Sequence, residues 1–257
     1  MCPVTVFEQD GYDLRVEWGL DGVRALGPHC AVLVVVDVLV FSTTVDVALS
    51  RGARVLPLPW RDERAAEAAT AAGATLVPSG LRNLDGQPTA TEGGGWTLRP
   101  SSMADLPPGQ FLAIASANGG TLCAAAAETG ATVLAGCLRN AAAVGALAAE
   151  IAGDRPVGIV AGGERWKTND ALRPSLEDFL GAGAIAASVP GRAAPSAEAS
   201  LAAMTYRAAS RDIATLLADS ISGRELTVAG VPEDVKIAGE VNASTVVPVL
   251  EAGVFIA

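Results

Sequence analysis

The chain has 257 residues, 50% of them apolar and only 18% charged, which is enough to bury a sizeable core and leaves no sign of disorder. A formal net charge of −10 disfavours non-specific nucleic-acid binding and attraction to an anionic membrane. No apolar run nears the roughly 20 residues that span a bilayer, and the opening Met1-Cys2-Pro3 lacks the basic region and apolar stretch of a signal peptide, so the expected location is cytoplasmic.

In chain order, residues 4–7 and 14–18 suggest a hairpin around Asp10-Gly11. Residues 31–36 are unbroken apolar and β-branched, the pattern of a strand buried on both faces. Residues 43–51 read as a helix, with Thr43 and Asp46 in capping-box spacing and Gly52 as its stop. A strand over 54–58, a helix over 61–72 closed by Gly73 and a short strand over 75–77 follow. Between 78 and 109 glycines and prolines interrupt any periodicity. A loop this long is usually functional or mobile, and the segment reads as an insertion or lid near the site, with plain disorder as the alternative.

Alternation then resumes, with strands at 111–115, 132–135 and 157–160 and helices at 121–128 and 140–151. Helical stretches at 175–188, 196–219 and 232–241 lead to a terminal strand near 246–250 or 254–256. This order predicts a single domain over 1–257, a three-layer α/β/α fold with a mostly parallel sheet. The Ala-rich stretch 201–217 offers a smooth helix face, suited to a homo-oligomer or, more commonly, to the protein's own sheet.

Four apolar runs break off into polar or glycine-rich loops, each followed by a helix-like stretch. In a parallel sheet such loops share the C-terminal edge of the strands, where open α/β sheets build their sites. The first loop begins at Asp37, followed by Ser42-Thr43-Thr44. A carboxylate there can hold Mg²⁺, act as nucleophile or base, or only fix its loop. A phosphatase class with a second Asp two residues on is excluded, because that position is Leu39. Asn118-Gly119-Gly120-Thr121 resembles an anion cradle at a helix start, or an ordinary turn. Arg139-Asn140 occupies the equivalent turn of the next unit.

The densest polar stretch runs from Gly162-Gly163-Glu164-Arg165-Trp166 to Ser175-Leu176-Glu177-Asp178. Ser175 and Asp178 have capping-box spacing. Neighbouring helical positions differ by roughly 100°, so one of Glu177 and Asp178 can reach a metal while the other serves the helix start. Arg165 and Arg173 offer planar forks to phosphate or sulphonate oxygens. Ser222 and Glu225 repeat the box, leaving Arg224 to face ligand or water, and Glu233-Asp234 suit the first turn of a helix. Cys2, Cys30, Cys123 and Cys137 show no CxxC spacing and His29 is the lone histidine. Zinc and disulphides are therefore not expected, and any metal would take oxygen ligands, which favours magnesium.

In order along the chain, Val36-Asp37-Val38-Leu39 with Ser42-Thr43-Thr44, Ser116-Ala117-Asn118-Gly119, Gly136 with Arg139-Asn140-Ala141, Ala161-Gly162-Gly163-Glu164-Arg165, Ser175-Leu176-Glu177-Asp178, Ser222-Gly223-Arg224-Glu225-Leu226 and Asp234-Val235 together resemble the 2-phosphosulpholactate phosphatase (ComB-like) family. The resemblance implies an α/β/α fold and a Mg²⁺-dependent phosphatase that converts 2-phosphosulpholactate to 3-sulpholactate and phosphate, a step of coenzyme M biosynthesis. On this reading Asp37, Glu177 and Asp178 are catalytic, and Asp37 with Glu164, Glu177 or Asp178 holds the metal. Ser42, Thr43, Asn118, Gly119, Gly120, Arg139, Asn140, Arg165, Arg173 and Arg224 bind a small anionic phosphoester. Members of the family typically carry Arg where this chain has Val40. That departure keeps open a different small phosphoester, or a non-catalytic role in binding a small anion.

Overall fold

The β-branched runs pair in a nine-stranded sheet in the computed structural model, which describes residues 6–78 and 95–257. Seven strands are β1 (Leu14–Trp18), β2 (Val32–Val36), β3 (Arg54–Leu58), β4 (Thr75–Val77), β5 (Phe111–Ala115), β6 (Thr132–Gly136) and β7 (Val157–Ala161). A two-residue ribbon, β8 (Glu164–Arg165) with β9 (Leu172–Arg173), lies outside the sheet, and β10 (Val249–Glu251) and β11 (Val254–Ile256) complete it. The strand order is β1-β7-β2-β6-β10-β11-β3-β5-β4, with β1 to β7 mutually parallel wherever they pair.

Strand β2 shows why the layers form. Its side chains alternate in direction, so Val32, Val34 and Val36 enter one core while Leu33 and Val35 enter the other. The first core is closed by α5 (Ala141–Ala152), α6 (Leu176–Ser188), α7 (Ala197–Ala209), α8 (Ile213–Asp219), α9 (Ile221–Val228) and α10 (Pro232–Ala238). The second is closed by α1 (Gly19–Leu26), α2 (Phe41–Ser50) and α4 (Gly119–Ala127), while α3 (Glu63–Ala72) covers the outer strands. The three-layer α/β/α expectation matches this arrangement.

Several local expectations do not hold. Strand β1 pairs in parallel with β7, Leu14 against Val157, and Val6–Glu8 is a short 3-10 turn, so no hairpin forms within the described residues. Residues 4 and 5 lie outside them. The stretch 196–219 is two helices, α7 and α8, rather than one. Both terminal candidates are strands. They form an antiparallel hairpin wedged between β6 and β3, with Val249 against Leu134 and Phe255 against Val55. The small face of α7, Ala199, Ala202 and Ala203, is buried against α6, where a Cβ on Gly183 would come within 2.2 Å of the Ala202 carbonyl oxygen. That face is therefore taken up by the protein itself.

Within 78–109, residues 79–94 lie outside the described ones. The remainder is partly core: Leu98, Met103 and Leu106 are buried, the last two flanking the end of a 3-10 turn at Pro100–Met103. No helix among the described residues is long and apolar enough to cross a membrane.

Candidate active site

The loop leaving β2 is built around its own carboxylate. Asp37 donates its backbone N–H to Ser42 Oγ at 3.0 Å, and Ser42 Oγ donates to the Val35 carbonyl at 3.4 Å. Asp37 Oδ1 accepts the Phe41 N–H at 3.3 Å, and Oδ2 accepts the Gly119 N–H at 2.9 Å. Thr43 Oγ1 donates to the Val38 carbonyl at 2.8 Å. Ser42 and Thr43 are fully buried and spend their hydroxyls on the backbone, so the structure gives them a loop-bracing place rather than a substrate-facing one. Nor does Thr43 cap α2, which starts at Phe41.

Gly119 and Gly120 are small because of packing. A Cβ on Gly119 would stand 2.1 Å from Phe41 Cδ1, and one on Gly120 2.2 Å from the Leu58 carbonyl oxygen. The amide at the head of α4 already holds an anion, and that anion is Asp37.

The capping box expected at α6 is replaced by longer connections. Ser175 Oγ donates to Asp178 Oδ2 at 2.9 Å, and the same oxygen accepts the Gly163 N–H at 2.7 Å. Asp178 Oδ1 accepts the Val38 N–H at 2.7 Å. Asp178 thus ties α6 to the loops after β2 and β7 with both oxygens engaged. Its neighbour Glu177 is 2% exposed, and no hydrogen bond reaches its carboxylate among the described residues. Glu164 Oε2 accepts the Asn118 side-chain amide at 3.1 Å.

Three of these carboxyls, Asp37, Glu164 and Asp178, are raised, by burial first. Burial lifts Asp37 to about 6, opposed by the hydrogen bonds from Phe41 and Gly119 and reinforced by Glu177. Burial, then the charge of Asp37, lifts Glu164 to about 7. Asp178 is also pushed well up, by burial first and then by Asp37 and Glu177. Several acids crowded into one dry place favour proton sharing or a bound cation. Even so, no group of three or more His, Cys, Asp or Glu among the described residues forms a ready-made metal cage.

A cleft of about 1290 Å³ opens above Asp37. Ser116, Asn118 and Glu164 line it beside Asp37, and Leu39, Val40, Leu98, Leu226 and Val231 give it an apolar wall. Five cations also line it. Arg99 is held by the buried carboxylate of Asp234 at 2.7 Å, and Lys167 by Glu225 at 3.1 Å. Arg165 donates to the Asp170 carbonyl at 3.0 Å, while Arg61 and Arg224 make no side-chain hydrogen bond or ion pair among the described residues.

Of the residues expected from sequence, Asp37, Asn118, Glu164, Arg165 and Arg224 therefore meet at one cleft, with Glu177 and Asp178 buried behind it. Arg173 stays beside the cleft, donating to Ser222 Oγ at 3.3 Å. The cap of α9 is Ser220, which accepts the Gly223 N–H at 3.0 Å, and not Ser222. Arg139 and Asn140 stand elsewhere. Arg139 pairs with the buried Asp46 at 2.9 Å and with Glu240. Asn140 accepts the Cys137 N–H at 2.9 Å and donates to the Val246 carbonyl at 3.2 Å. Arg61 was not foreseen, although it follows the end of β3 by three residues and the rule that sites form at strand ends applies to it equally.

The ordered loops at the ends of β2, β5 and β7 fall inside one family match: residues 25–253 of the 257 fit 2-phosphosulpholactate phosphatase. The match spans the sheet from β2 to β10, and with it every residue of the cleft described above. The chain belongs to the 2-phosphosulpholactate phosphatase family, a family of phosphoric monoester hydrolases.

Proposed function

We propose that this protein is a Mg²⁺-dependent phosphatase that hydrolyses the phosphate ester of a small acidic hydroxy acid, 2-phosphosulpholactate or a close analogue, to 3-sulpholactate and phosphate. The observation that carries the reading is the junction at Asp37. Its carboxylate is clamped by the Gly119 amide at 2.9 Å in a cleft shared with Asn118, Glu164 and uncommitted arginines.

The donor set suits a hard dication. Carboxylates are acceptor-only oxygen ligands, and Glu177 is buried with no hydrogen-bond donor among the described residues. Mg²⁺ commonly takes one or two protein carboxylates together with water and substrate phosphate oxygens. Asp37 with one of Glu164 and Glu177 would hold the ion, and Asp178, whose oxygens are both engaged, would position the loop that carries Asp37. When bound, Mg²⁺ supplies charge to polarise the phosphoryl group. Asn118 fixes Glu164 through its amide, and Arg165 and Arg224 are available to the acidic end of the substrate.

A second reading keeps the chemistry and changes the ester. The cleft wall at Leu39, Val40, Leu98, Leu226 and Val231 is apolar, which favours a phosphoester with a less charged organic part. Phosphate release from 2-phosphosulpholactate and from a panel of other small phosphoesters, with and without Mg²⁺, separates the two. The first reading expects turnover of 2-phosphosulpholactate that vanishes with chelator and in Asp37→Asn. Turnover of other esters alone selects the second reading. Binding of inorganic phosphate with turnover of none would sink catalysis altogether.

A further inference from the structure

We propose that Arg61 grips the phosphoryl group of the substrate, a binding residue supplied by the connection between β3 and α3. The proposal rests on the phosphatase reading above. Strand β3 ends at Leu58, whose carbonyl accepts the Ser116 N–H at 3.0 Å and is the atom against which Gly120 packs. The loops after β3 and β5 are therefore bound to one another, and Arg61 lines the same cleft as Asp37, Ser116 and Asn118. The positive charge of Arg61 is felt at the Asp37 carboxylate, so it lies at the acidic end of the cleft.

Its neighbours show that this arginine is left uncommitted. Three residues on, Arg64 is paired with Asp62 at 2.6 Å and lies 5.2 Å from the centre of the Trp60 ring. Asp62 also caps α3 by accepting the Arg64 N–H at 3.1 Å, so the nearest carboxylate in sequence serves Arg64. Across the cleft, Arg99 and Lys167 are neutralised by Asp234 and Glu225. Arg61 is exposed and makes no hydrogen bond or ion pair among the described residues. A planar guanidinium can place two N–H groups on two phosphoryl oxygens, which a lysine ammonium cannot reproduce.

The test compares Arg61→Ala and Arg61→Lys with Arg64→Ala, using steady-state phosphate release and calorimetric binding of inorganic phosphate. Arg61→Ala is expected to raise KM and the Kd for phosphate by about 10- to 100-fold, the range for a lost charged hydrogen bond. Arg61→Lys should recover part of the loss, and Arg64→Ala should match wild type in both measurements. Thermal melts of Arg61→Ala should coincide with wild type, since the side chain is exposed. Values of KM and Kd within twofold of wild type would overturn the proposal. So would a higher KM with unchanged phosphate affinity, which would place Arg61 on another part of the substrate. A wild-type protein that binds phosphate yet hydrolyses no ester would end the phosphatase reading while still letting calorimetry judge Arg61.

Discussion

Val38 and Asp178 stand 140 positions apart in sequence and 2.7 Å apart in space, the backbone N–H of the first donating to Oδ1 of the second. The bond fixes the residue next to Asp37 to the start of α6, while Oδ2 holds Gly163 after β7 and the Ser175 hydroxyl. One carboxylate therefore sets the relative position of three loops. Asp178→Ala would leave two buried backbone N–H groups unpaired, each worth about 1–3 kcal/mol. We expect urea denaturation in the presence of chelator to show a loss of roughly 2–5 kcal/mol, and a parallel fall in phosphate release as the Asp37 loop loosens. A loss of stability seen only with Mg²⁺ present would instead make Asp178 a ligand.

The raised acids give the metal-free protein a pH dependence of defined sign. Asp37 at about 6 and Glu164 at about 7 both lie above their ordinary values of 3.8 and 4.5. A carboxyl whose folded value is raised contributes stability in full below its unfolded value, and that contribution is lost as pH rises through the folded one. The melting temperature without metal should therefore decline between about pH 4 and pH 7. In Glu164→Gln the decline should be shallower. Added Mg²⁺ should raise the melting temperature more at pH 8 than at pH 5, because only the ionised acids attract it. Parallel melting profiles for wild type and Glu164→Gln would show that Glu164 ionises normally.

The contrast between what was legible and what was not follows from the range of the interactions. Strands such as Phe111–Ala115 and Val32–Val36 could be read because burial on both faces demands continuous apolar runs, and that demand is local. The rim at the strand ends was legible for the same reason, and it gathers Asp37, Asn118 and Glu164. Partners of buried polar groups were not. Ser175 with Asp178, and Thr43 with Asp46, have the spacing of local caps, yet Asp178 reaches Val38 and Asp46 reaches Arg139, 93 positions away. Spacing can reveal a nearby acceptor, but only the packed sheet shows which distant donor arrives. Pairing has the same limit. The alternation of β1 identified a strand without naming β7 as its neighbour, and nothing in 249–256 told that it enters mid-sheet.

Arg139 illustrates the cost of that limit, and it can be tested. Its Nε donates to Asp46 at 2.9 Å, its Nη1 to the Ile237 carbonyl at 3.3 Å and to Glu240, and its own carbonyl accepts the Ser244 N–H at 2.9 Å. It thus joins α2, α10 and the segment before β10, and Asp46, fully buried on α2, depends on it for charge. Breaking a buried pair from one side leaves an uncompensated charge, at about 3–5 kcal/mol, whereas removing both partners is far milder. Arg139→Met should therefore lower the urea midpoint strongly, and the double variant Asp46→Asn with Arg139→Met should regain much of it. In the folded fraction of either protein KM should match wild type, because the guanidinium does not line the cleft. Should Arg139→Met prove as stable as wild type with KM raised tenfold or more, the guanidinium would belong to the substrate after all, and the Asp46 pair would be incidental to the fold.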